Sequence, residues 1–230
     1  MKSYMRGTWL PDPPTFSRVE TFLVLAVLAV NVLDDFFYIH AKVGITEFVL
    51  IDYAKKTAMF FVCILPLSLR AISRQAFAAP SVPWRDGGWL NPHVWIVTAL
   101  VFLCDEGLYY LGVLFDWNLA LPRLATFPAY HDDLIKYLDL GLGLLWNSVA
   151  EELFYRAVLI AFLFRFVRPV GIRILIAGFL FGTAHWFQGP VWIVQIAIDG
   201  CLYGYLYSLT RSIVPGIVIH TLHNLIVFTS

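Results

Sequence analysis

The chain has 230 residues, 60% of them hydrophobic and 17% aromatic, and its 16 Lys and Arg balance its 16 Asp and Glu to a formal net charge of zero. Only 14% of residues are charged, well under the roughly one-quarter of a soluble domain, and mean hydropathy is +0.74. A basic nucleic-acid surface and an acidic tail are excluded, and the composition is that of an integral membrane protein.

Residues 1–19 carry Pro11, Pro13 and Pro14 close to Trp9 and read as a short interfacial arm. Seven stretches then approach the ~20 apolar residues that cross a hydrocarbon core: 20–39, 54–71, 94–115, 138–166, 170–188, 190–209 and 213–229. The expected fold is all-α, a polytopic transmembrane helical bundle of about seven helices, with six to eight as its bounds. The range reflects Phe48-Val49-Leu50-Ile51, which fits either the second helix or a separate interfacial turn. The first apolar run ends in Asp34-Asp35 and not in a small-residue cleavage site, so no cleavable signal peptide is expected. Nothing marks a repeat or a second domain, and 1–230 is expected to be a single integral membrane domain: N-terminal helices and interfacial loops over 1–137, then a catalytic core over 138–228.

The connection 72–93, with Pro80, Pro83, Trp84, Trp89 and Pro92, is expected on the membrane surface, where tryptophan is favoured. The connection 116–137 carries Pro122, Pro128 and His131-Asp132-Asp133 and is expected to join two helices. Gln188-Gly189-Pro190 is a helix break. Gly200 and Gly204 form a GxxxG face suited to close packing. Cys63, Cys104 and Cys201 lie in apolar segments without metal or disulfide spacing and read as buried small hydrophobes. The excess of Lys and Arg falls on the connections that place the N-terminus in the cytoplasm, against Lys42, Lys55, Lys56, Arg123 and Lys136 outside. The expected location is the cell or plasma membrane.

The segment Glu151-Glu152-Leu153-Phe154-Tyr155-Arg156 sets two carboxylates and a guanidinium inside a long apolar stretch. Ionisable groups at bilayer depth are costly unless they pair or face a water-filled cavity, and mark function by default. Glu152 and Arg156 are an i,i+4 acid-before-base pair. Glu151 then stands as a base that takes a proton from water. His185, ending Phe181-Gly182-Thr183-Ala184-His185 late in the fifth helix, can orient that water or shuttle its proton. His220 and Asn224 share a helical face and can both donate to a developing oxyanion. His223 reads as a packing residue. Asp199 is an intramembrane acid without an evident base partner, and Asp105 and Glu106 read equally as a structural pair or a functional one.

These motifs resemble those of a known family, the CPBP group of CAAX-processing and bacteriocin-processing intramembrane proteases, also called Abi proteins. The family carries EExxxR, FxxxH and HxxxN or HxxxD on three helices, matched here by Glu151-Glu152…Arg156, Phe181…His185 and His220…Asn224. The resemblance covers about 138–228. It implies a glutamate-dependent intramembrane endopeptidase with its site between the fourth, fifth and seventh helices. Glu151 and His185 would activate water, His220 and Asn224 would hold the oxyanion, and Glu152 and Arg156 would support them. The implied partners are membrane lipids and a membrane-associated peptide or protein, prenylated in the CAAX-processing members, with no nucleic acid. No cofactor is expected.

Two other classes compete. Glu151, His185 and His220 are ligand types that zinc accepts, which leaves a zinc-dependent membrane hydrolase as a minority alternative, although no HExxH is present. A non-catalytic scaffold or bacteriocin-immunity protein would keep the same residues as a buried hydrogen-bond network. A proton-relaying transporter is disfavoured because no duplicated half is evident.

Overall fold

The computed structural model describes residues 15–41, 44–80, 87–115 and 133–229, and among these the regular structure is entirely helical. Eight helices follow one another. They are α1 (Arg18–Ala41), α2 (Ile45–Ile64), α3 (Leu67–Ala76), α4 (Pro92–Leu114), α5 (133–163), α6 (Val170–Thr183), α7 (Pro190–Thr210) and α8 (Val214–Thr229). The readings made for residues 1–14 and for His131-Asp132 and the prolines of 116–132 lie outside the described residues.

Local chemistry explains where the helices begin and end. Ser17 and Glu20 form a reciprocal capping box at the start of α1, with Glu20 N donating to Ser17 Oγ (3.2 Å) and Ser17 N to the Glu20 carboxylate (2.7 Å). Asn91 caps α4 by accepting from His93 N at 3.0 Å, with Pro92 at the first helical position. Gly189, at φ 99°, makes the turn before Pro190, a backbone conformation that glycine adopts freely.

Two expected boundaries differ. The stretch 54–71 is two helices, because Leu65-Pro66 interrupts it and Pro66 starts α3. Ser73 Oγ, donating to Cys63 O at 2.7 Å, folds α3 back on α2. Residues 72–76 therefore belong to α3 and not to a surface loop, and Phe48–Ile51 lie within α2. Among the cysteines, Cys63 is buried but Cys104 is exposed.

Residues 150–163 of α5 are buried on every side, which makes this helix the axis of the bundle. Its helical path widens into π geometry over Asp139–Gly143 and again over Glu152–Leu159; such widening recurs at functional sites. Helices α2, α3, α6 and α8 pack around it, and α4 closes the bundle against α7 and α8. The α6–α7 contact is the closest. A Cβ on Gly200 would come within 2.9 Å of Gly178 Cα, and one on Gly178 within 2.8 Å of Ala197 O. Small residues thus let these two helices meet backbone to backbone.

The polarity is inverted relative to a soluble domain. Glu151, Glu152, Arg156, Lys56, Asp105, Asp199 and His220 are buried, while Phe22, Leu33, Leu103, Leu175, Phe179 and Val194 of the perimeter are exposed. A belt of exposed apolar side chains around buried charge is what a lipid solvent selects. Among the described residues, one helix, Pro92–Leu114, is long and apolar enough by itself to cross a membrane, and Val170–Thr183 and Val214–Thr229 are shorter apolar helices.

Candidate active site

Glu151 and Glu152 lie where α5 passes from α to π geometry, and both are nearly inaccessible at 3% and 1% exposure. Glu151 Oε1 is ion-paired with the ammonium of Lys56 from α2. Its other oxygen, Oε2, has His220 Nε2 3.5 Å away and accepts no hydrogen bond within the described residues. Glu152 Oε1 is ion-paired with Arg156 Nη2 at 3.2 Å and lies 3.0 Å from His220 Nδ1, which donates to it. One imidazole therefore spans the two carboxylates.

Helix α8 reaches this position because Gly216 lies against Glu152. A Cβ there would stand 2.8 Å from Glu152 Oε2. The Arg156 guanidinium lies 4.3 Å from the Phe181 ring centroid and 5.4 Å from that of Tyr203, so stacking on aromatic faces supports a charge that is 1% exposed.

Phe181 contacts more of the site than its place in a motif suggested. Its ring makes edge contacts with His185 (5.0 Å), His220 (5.9 Å) and Tyr155 (5.0 Å). His185 lies not inside the helix, as expected, but just past its end, after the C-cap Ala184. Its Nδ1 is 3.0 Å from Phe181 O. A carbonyl only accepts, so Nδ1 carries the proton and a neutral ring keeps Nε2 as an acceptor. Trp186 Nε1, donating to Val32 O at 2.8 Å, fixes this turn to α1.

Glu151, His185, His220 and Asn224 all line one cavity of about 290 Å³, together with Lys56, Tyr155, Phe181 and Asn147. Three separate chain segments bring them there, α5, the turn after α6, and α8.

A second polar cluster adjoins the first. His223 Nδ1 stands 3.0 Å from Glu106 Oε1 and 3.3 Å from Asp105 Oδ2, and Tyr203 donates to Asp105 Oδ2 at 2.5 Å. Asp199 is also buried. His223 thus joins α8 to α4. Asp105, Glu106 and His223 hold ligand-type atoms within 4.8 Å of one another. Glu151, His185 and His220, the trio of the zinc alternative, do not gather that closely among the described residues.

Lys56 was missed by sequence reasoning. It was counted among lysines outside the membrane, yet it lies in the middle of α2, 4% exposed, against Glu151. Its neighbour Lys55 pairs with Asp34, and with Asp52 at 3.1 Å. A lysine beside another lysine reads as a helix flank, and only its position between apolar Ala54 and Met59 hinted otherwise.

Residues 134–226, which contain all the motif residues, match the family model of type II CAAX prenyl endopeptidase Rce1-like proteins. Over this segment, which is less than half of the chain, the protein is similar to that family. Comparison with curated proteins and with solved structures gives no match. The matched family is described as one of prenyl endopeptidases. The matched segment begins at the start of α5 and ends within α8, so helices α1 to α4, with Lys56, Asp105 and Glu106, lie outside it.

Proposed function

We propose that this protein is a polytopic intramembrane endopeptidase that cleaves a membrane-associated or prenylated CAAX-type protein or peptide with a glutamate-activated water. The observation that carries the reading is the convergence of Glu151, His185, His220 and Asn224 on one cavity.

Glu151 Oε2 and His185 Nε2 are the acceptors available to a water in that cavity. As water attacks the scissile carbonyl carbon, a C–O bond forms, the proton passes to Glu151, and the carbonyl oxygen becomes an oxyanion. The His220 ring and the Asn224 amide donate to that oxyanion, a contribution of about 2.7–4 kcal/mol per donor in known hydrolases. Glu152 anchors the opposite nitrogen of His220 and is itself held by Arg156. Collapse breaks the C–N bond, and the proton on Glu151 passes to the leaving amine. The buried charge within an apolar perimeter supports a site at membrane depth. No resident cofactor enters this scheme.

The test is cleavage of prenylated and unprenylated membrane-anchored peptides by purified protein, with mass-spectrometric mapping of the cut. Glu151→Gln and His220→Ala are run beside the wild type, each with and without a strong chelator. Cleavage by the wild type that survives chelation and is lost in both folded variants supports the reading. Loss on chelation alone replaces it with zinc hydrolysis, and cleavage by Glu151→Gln removes Glu151 from the chemistry.

A further inference from the structure

Outside the matched segment, a cation meets the residue on which the proposed chemistry turns. Lys56 projects from α2 onto Glu151 of α5, 95 positions along the chain, and both side chains are within 5% of full burial. The charged and titratable groups that face Glu151 are Lys56 from α2, His220 from α8, His185 after α6, and Tyr155 one turn further along α5. Lys56 is the one of these that engages Oε1, whereas His220 Nε2 approaches Oε2.

The fold has other means of joining α2 to α5. Tyr53 donates to Asp139 Oδ1 at 2.5 Å, Trp146 Nε1 donates to Thr57 Oγ1 at 3.1 Å, and the Phe60 and Trp146 rings lie 4.8 Å apart. Burying an ion pair is costly, and apolar residues of the same volume often stabilise as well or better. A lysine retained beside Glu151 therefore suggests a task beyond packing, and its position suggests which one.

We infer that Lys56 is a positioning residue of the active site: its ammonium binds Glu151 Oε1, keeps the carboxylate charged, and so leaves Oε2 as the acceptor for the attacking water. This rests on the reading of Glu151 as the base. Without the cation, a carboxylate at this burial takes up a proton to escape the cost of desolvation, and a protonated Glu151 no longer accepts one from water. Lys56 forms no bond to substrate and transfers no proton in this scheme. It acts through Glu151.

The experiment uses the full-length protein in lipid nanodiscs as wild type, Lys56→Met, Lys56→Arg and Glu151→Gln. Infrared difference spectra against Glu151→Gln isolate the Glu151 band. The wild type and Lys56→Arg are expected to show a carboxylate band, and Lys56→Met a protonated-carboxyl band. On a cleaved peptide, Lys56→Met is expected to lower kcat by about tenfold or more while KM stays within about twofold, and Lys56→Arg to restore part of the loss. A carboxylate band that persists in Lys56→Met overturns the inference, as does unchanged kcat in that variant. If Lys56→Met does not fold, Lys56→Arg and a Lys56→Gln variant provide the same contrast of charge kept and charge lost. A wild type that cleaves nothing defeats the protease reading, and the infrared arm still decides whether Lys56 governs Glu151.

Discussion

His220 Nδ1 donates to Glu152 at 3.0 Å, while its Nε2 lies 3.5 Å from Glu151, so a single ring on α8 joins two consecutive carboxylates of α5. Both acids and the ring are buried. The geometry of the candidate site and helix packing therefore depend on the same contacts, and substitutions in the site should be read for both.

His220→Ala is expected to abolish cleavage and also to destabilise the bundle by about 1–3 kcal/mol, because Glu152 loses a buried hydrogen-bond partner. Denaturant unfolding in detergent measures the second effect beside the cleavage assay. Full activity in a destabilised variant would show that the ring is structural only.

Arg156 is 1% exposed, pairs with Glu152 and stacks on Phe181. Arg156→Met leaves a buried carboxylate without its cation and is expected to cost about 3–5 kcal/mol. Arg156→Lys keeps the charge but not the flat stacking surface, and should cost less, about 0.5–2 kcal/mol. Equal unfolding midpoints for the two variants would contradict the role given to the Phe181 face.

Gly216→Ala tests the approach of α8 to α5. The added methyl would stand 2.8 Å from Glu152 Oε2, and that carboxylate is already fixed by Arg156 and His220. The expected result is a fall in kcat larger than the change in stability, with Gly216→Val worse. An active, stable Gly216→Val would show that Glu152 moves aside without consequence.

Gly178 and Gly200 face each other where α6 and α7 touch. A methyl on either meets backbone, which cannot rotate away, so Gly178→Val or Gly200→Val is expected to destabilise by about 1–3 kcal/mol or more through overpacking. Because α6 ends in the turn that carries His185, the same variants should lose activity ahead of secondary structure. Circular dichroism alongside cleavage separates the two losses.

Much of the site was legible because its motifs are local. Glu152 with Arg156, Phe181 with His185, and His220 with Asn224 are four residues apart, a spacing that places side chains on one face of any helix. The apolar runs located α4, α7 and α8 closely for the same reason, since twenty apolar residues in a row have few other uses. The break at Leu65-Pro66 was missed because both sides of the proline are apolar, and a hydropathy count passes over what a missing backbone N–H interrupts.

The sequence by itself determined that the chain is helical and apolar on its outside, and singled out two acids, an arginine, two histidines and an asparagine as one candidate site. Composition and short-range spacing carry that information. Only the tertiary structure decided what each of them touches: Lys56 on Glu151, His220 across Glu151 and Glu152, and His223 on Asp105 and Glu106. These partners are tens of residues apart in the chain, and no helical period relates them. Their meeting is set by glycines that let helices close and by a central helix buried on all sides, whose Glu151 and Glu152 meet Lys56 and His220 from neighbouring helices.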